Sequence, residues 1–315
     1  MNVFRDSTGA VRVGWIVALF TVICVVGVPA TMTAFYAARL ISLELPTRLD
    51  SPHLVFQTLP TLIAGALATV VCWAIFRVPT GLETRTGLTR TGLSELVEDG
   101  PTTTPTEHSS GQSSTSSDRP GWLALVCTGF LIGLATIAVC ILVPVLAGQT
   151  TLHLASPPWW MGLQQLLTLA PAGLGEELML RGLAFHAFKR RFGDWPAVLV
   201  SGSLFGVLHL TNPEGTWISS AVIALVGLWF ALLTVRSGSL WMAAGVHVAW
   251  NFGEGFVFGH PVSGHQPASP LFAATWPAPG FWSGGDFGPE AAAFTAIVLV
   301  IAVLLTLRAP FSRGS

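Results

Sequence analysis

The chain has 315 residues, of which 51% are apolar and only 10% charged, with 15 Lys+Arg against 16 Asp+Glu. Soluble domains carry about 25% charge. This composition excludes an ordinary soluble enzyme, a disordered chain and a nucleic-acid binder, and it leaves a polytopic membrane protein.

In chain order, stretches without Asp, Glu, Lys or Arg cover residues 13–38, 51–76, 120–175, 195–213, 215–235, 237–253 and 291–307. A helical span needs roughly 20 mostly apolar residues. The longest stretch holds two spans divided by Pro157 and Pro158. The sequence thus predicts an all-α fold of about eight transmembrane helices, at 13–35, 54–76, 122–147, 159–188, 195–210, 217–235, 240–258 and 291–307. Trp122, Trp159, Trp160, Trp195 and Trp217 open helices, as interfacial aromatics do. Residues 1–99 form a two-helix membrane region and 100–121 a disordered Ser/Thr/Pro-rich linker. Residues 122–315 form a six-helix membrane region.

Basic residues orient the chain. With the N-terminus inside, eight crossings put 12 of the 15 Lys and Arg residues inside, and only Arg39 and Arg48 outside. Arg181 is left within a helix. The expected topology is N-in and C-in, for a multi-pass protein of a bacterial cell membrane. Cys24, Cys72, Cys127 and Cys140 fall within spans and read as packing residues. His260 and His265, in a Gly/Pro-rich outer loop, read as solvated, and Glu254 receives no role.

Ionisable groups inside a bilayer are costly and mark function. The 159–188 helix carries Glu176, Glu177, Arg181 and His186; later helices carry His209, His247 and Asn251. Glu177 and Arg181 stand four apart and can pair, while Glu176 points ~100° away. His247 and Asn251 also stand four apart. At ~1.5 Å per residue from each charged boundary, Glu176, His209, His247 and Asn251 all lie ~16–22 Å deep. One unpaired carboxylate, two imidazoles and an amide at one level can supply a general base and donors to an oxyanion. The same Glu and two His are also a zinc-ligand set, yet HExxH is absent. No GxSxG is present, and Ser201 and Ser203 lie a turn or more from His209.

These residues carry a resemblance. GEELMLRG (175–182) resembles the EExxxR motif of the CAAX protease and bacteriocin-processing (CPBP) family, which includes CAAX prenyl protease 2. FGVLH (205–209) resembles its FxxxH motif and HVAWN (247–251) its HxxxN motif. GGDFGPE (284–290) looks like a segment often found before the last helix. The likeness covers about residues 158–258, the expected catalytic core.

What the resemblance implies is an intramembrane endopeptidase, a metalloendopeptidase-like hydrolase acting on lipidated, membrane-anchored or hydrophobic peptides. Glu176 and His209 would activate a water, His247 and Asn251 would stabilise the oxyanion, and Glu177, Arg181 and Phe205 would support the site. No cofactor is favoured; zinc on Glu176, His209 and His247 is the alternative. The expected partners are membrane lipids and a peptide or lipidated protein substrate, with no nucleic acid. A non-catalytic transporter, scaffold or bacteriocin-immunity protein remains the competing class.

Overall fold

The computed structural model describes residues 120–309 apart from 268 and 277–279. The expected spans 13–35 and 54–76, with Cys24, Cys72 and nearly all of the linker, lie outside the described residues.

The described chain is mostly helical. Helix α1 (Trp122–Leu146) is an unbroken apolar run that ends just after Pro144. Helix α2 (Trp160–Arg181) stops at Gly182, whose ψ of −138° leaves the helical region. Helix α3 (Leu183–Phe192) follows at once and ends at Gly193, with φ of 94°. The expected single helix over 159–188 is therefore two. Helix α4 (Asp194–Leu208) passes into a tighter turn at His209–Thr211. Helix α5 (Trp217–Ser237) starts from a capping box of Thr216 and Ser219 and ends at left-handed Gly238. Helix α6 (Leu240–Phe252) is capped by Ser239 and widens into one π turn, Gly253–Val257. A short helix α7 (Gly280–Ser283) precedes α8 (Ala293–Arg308).

The expectation of an all-helical chain missed one feature. Strands β1 (Thr151–Leu154) and β2 (Phe272–Thr275) pair antiparallel, with Thr151 opposite Thr275 and Leu154 opposite Phe272.

Helix α6 is the inner element. It packs on α1, α2 and α5, while α5 also packs on α4 and α8. Trp250 of α6 and Trp229 and Phe230 of α5 are almost wholly buried at its core. The α1–α6 contact depends on glycine. A Cβ on Gly129 would lie 2.2 Å from Met242 O, and one on Gly133 would lie 2.3 Å from Val246 O. Only a missing side chain lets the two backbones approach so closely, as small-residue spacing does between membrane helices.

Among the described residues two helices, α1 and α5, are long and apolar enough to cross a membrane; α8 is apolar but shorter. Large apolar side chains also cover the outside, among them Trp159 (83% exposed), Trp217 and Leu131. Such coverage suits lipid contact better than water.

Candidate active site

The site forms where α2, α4, α5 and α6 meet. The last turns of α2 present Glu176, Glu177 and Arg181, and the i,i+4 spacing puts the latter two on one face. Arg181 Nη1 donates to Glu177 Oε1 at 3.0 Å, with both side chains fully buried. Arg181 Nη2 donates to the carbonyl of Gly227 on α5 at 2.9 Å. The guanidinium also lies over the Phe205 ring, 4.6 Å from its centroid, and near the Phe230 ring. A buried cation is tolerable only with such compensation.

Glu177 has a second partner. His247 Nδ1–H donates to the same Oε1 at 3.0 Å. This contact turns the other ring nitrogen of His247 toward Glu176. His209 is oriented the same way by a different group: its Nδ1–H donates to the Phe205 carbonyl at 2.7 Å. Both donors face oxygen acceptors, so each imidazole carries its proton on Nδ1 when neutral. The two Nε2 atoms then address Glu176 Oε2, each at 3.9 Å. That oxygen accepts no hydrogen bond among the described residues. A separation of 3.9 Å exceeds a direct hydrogen bond and lies in the range in which a water can mediate between two polar groups.

Thus Glu176, Glu177, Arg181, Phe205, His209 and His247 form one cluster. Phe205 touches three of them: its ring centroid lies 4.5 Å from that of His209 and 5.7 Å from that of His247, as well as under Arg181. Asn251 is buried on α6, one turn beyond His247. His209 caps α4 rather than lying within it. Ser201 is buried and donates to the Leu180 carbonyl, so its hydroxyl serves packing, and Ser203 faces outward.

Two participants were not foreseen from the sequence. The Gly227 carbonyl holds Arg181, and Phe230 lies 5.0 Å from the His247 ring. Both sit in an apolar run whose spacing does not distinguish them from lipid-facing neighbours. Among the described residues no three His, Cys, Asp or Glu side chains are arranged to hold a metal ion.

Residues 157–253 match the family described as type II CAAX prenyl endopeptidase Rce1-like. The resemblance carried by the three motifs is thereby borne out, since the matched stretch contains all of them. This Rce1-like stretch begins just before α2 and ends just after α6, so it encloses every residue of the cluster. A similar relative is the uncharacterized protein YyaK of Bacillus subtilis (strain 168), 32% identical over 98 residues. The alignment takes in 29% of this chain and 32% of YyaK. The chain spans about a third of the length of the curated relative it matches.

Proposed function

We propose that this protein is an intramembrane endopeptidase that hydrolyses peptide bonds in lipidated, membrane-anchored or hydrophobic peptides. One observation carries the reading. A carboxylate oxygen without a hydrogen-bond partner, Glu176 Oε2, stands 3.9 Å from the Nε2 atoms of two imidazoles whose Nδ1–H groups are committed elsewhere. The Rce1-like match over residues 157–253 supports the same reaction class.

In this reading a water sits between Glu176 and His209. Glu176 takes one proton from the water as its oxygen bonds to the scissile carbonyl carbon. The neutral His209 accepts the other hydrogen at Nε2 and so fixes the direction of attack. The carbonyl π electrons move to oxygen, and His247 Nε2–H and the Asn251 amide donate to that oxyanion. His247 can donate from Nε2 only as the imidazolium, because its Nδ1–H serves Glu177. Glu176 and Glu177 together balance the charges of that imidazolium and of Arg181. Collapse of the intermediate breaks the C–N bond, and the leaving amine takes the proton held by Glu176. A positioned base contributes about 10²–10⁴-fold, and each oxyanion donor about 10²–10³-fold. Glu176 and the two imidazoles can supply the base and the donors by themselves, so the proposed chemistry is metal-free, with zinc on Glu176, His209 and His247 as the alternative.

The membrane setting is part of the proposal: eight spans, N-in and C-in, in a bacterial cell membrane. Two spanning-length helices and an apolar exterior support it.

The test compares wild type, Glu176→Gln and His209→Ala in liposomes, with fluorogenic farnesylated CAAX peptides and unmodified hydrophobic peptides as substrates. Cleavage by wild type alone is expected. Equal cleavage by all three, or none by any, leaves a non-catalytic membrane protein as the better reading.

A further inference from the structure

Two buried carboxyl groups, Glu254 and Glu290, take no part in the hydrolysis just described. Glu290 stands in a short turn, Pro289–Ala291, before α8. Its two oxygens have different partners. Oε1 accepts from the indole Nε1–H of Trp250 at 3.1 Å. Oε2 accepts from the hydroxyl of Ser263. Trp250 lies on α6 between His247 and Asn251 in sequence, so the first bond grips the helix that presents both.

The second bond leads to His209. The carbonyl of Ser263 accepts from Asn212 Nδ2 at 3.3 Å. Asn212 directly follows the His209–Thr211 turn, and its own N–H donates to the His209 carbonyl at 3.2 Å. A continuous path thus runs from the His209 turn through Asn212, Ser263 and Glu290 to Trp250. Two glycines hold the same loop tight. A Cβ on Gly264 would lie 2.0 Å from the Pro213 carbonyl, and one on Gly288 would lie 2.0 Å from the Pro261 carbonyl. The Gly264 N–H also donates to the Phe287 carbonyl at 2.7 Å. Hydrogen-bonded pairing of Val262 with His265 closes the loop on itself.

We propose that Glu290 is a positioning residue: through Ser263 and Asn212 on one side and Trp250 on the other, it sets the His209 turn against the helix bearing His247 and Asn251. The inference rests on the hydrolase reading for its effect on rate, and on geometry alone for the clasp itself.

Glu290→Gln is the conservative variant. Its amide oxygen can accept from Trp250 and its NH₂ can donate to Ser263. Glu290→Ala loses both bonds. With the fluorogenic farnesylated peptide, kcat of Glu290→Ala should fall about 10- to 100-fold, the scale of a small misplacement of reacting groups. KM should change far less, and Glu290→Gln should keep nearly the wild-type kcat. Ser263→Ala should lower kcat in the same direction, and adding it to Glu290→Ala should bring no further loss, since the two residues share one bond.

Hydrogen–deuterium exchange provides a readout that needs no substrate. In Glu290→Ala, residues 209–216 and 259–266 should lose protection while α1 and α5 keep theirs; Glu290→Gln should match wild type. Three results would overturn the clasp: an unchanged kcat and exchange pattern in Glu290→Ala, loss of protection across all helices alike, or a Glu290→Gln variant as impaired as Glu290→Ala. A wild type that cuts no peptide counts against the hydrolase reading, and the exchange pattern then decides the clasp by itself.

Discussion

His247 Nδ1–H donates to Glu177 Oε1 over 3.0 Å. That oxygen also takes the hydrogen bond of Arg181, so one carboxylate neutralises a buried guanidinium and aims an imidazole. Removing one partner of a buried pair costs about 3–5 kcal/mol, because the other charge is left without compensation. Glu177→Ala should therefore lower stability on that scale and abolish cleavage. Adding Arg181→Met should recover much of the stability and none of the activity. Thermal unfolding in detergent and peptide cleavage measure the two effects.

Glu176 behaves in the opposite way. Its Oε2 has no hydrogen bond to lose, and the side chain is 27% exposed. Glu176→Gln should leave the unfolding temperature near that of wild type and lower kcat at least about 10²-fold, the lower range for a general base. A large drop in stability would show that the residue is structural.

The close approach of α1 to α6 sets a third expectation. A side chain on Gly133 would meet the Val246 carbonyl at 2.3 Å and its Cα at 2.8 Å. Backbone cannot yield as a flexible side chain does, so Gly133→Leu should cost at least the roughly 1–3 kcal/mol of an overpacked core. Leu131→Ala, on the exposed side of the same helix, should stay within about 0.5 kcal/mol of wild type. Thermal melts of the two variants give the comparison.

His260 supplies a pH dependence. It lies in the loop after α6, stacked on Trp276, with Nδ1–H donating to the Phe258 carbonyl. Burial pushes its imidazole down to about 4, from an ordinary value of 6.5. Between those values the unfolded chain binds a proton that the folded chain refuses. Stability is then fully present above pH 6.5 and is lost as pH falls toward about 4, by roughly 3 kcal/mol in all. His260→Gln should flatten that part of the curve. Unfolding temperatures from pH 4 to pH 7 would reveal it, and an unchanged slope would assign the dependence to another group.

The proposed metal-free chemistry makes a chelation prediction. Cleavage should survive prolonged treatment with 1,10-phenanthroline. Loss of activity followed by specific restoration with zinc would replace the water-activation scheme with a zinc one.

Much of the site was legible because membrane composition makes polar residues conspicuous. In a chain with 10% charge, Glu176, Glu177, Arg181, His209 and His247 stand out, and i,i+4 spacing pairs Glu177 with Arg181 directly. The helix starts at Trp122 and Trp217 follow from interfacial Trp. Other features were hidden. Nothing in 183–188 marks the break at Gly182, because the apolar pattern continues through it. The depth count from Lys189 therefore crosses a turn rather than following one straight helix. The strands are four residues each and find each other across the whole core segment, beyond the reach of local pattern. His260 and His265 read as solvated among Gly and Pro, yet His260 is buried beneath Trp276 and His265 is partly buried. Tertiary folding of the loop onto the helices, which composition does not encode, placed them there.

The small sheet constrains how the molecule can move. Strand β1 enters α2, which bears Glu176, and β2 is joined to the end of α6 by a hydrogen bond from Leu271 N–H to the Phe256 carbonyl. The start of α2 and the exit of α6 are thus laced together by four residue pairs. Any parting of α2 from α6 at that end must first unzip the ladder.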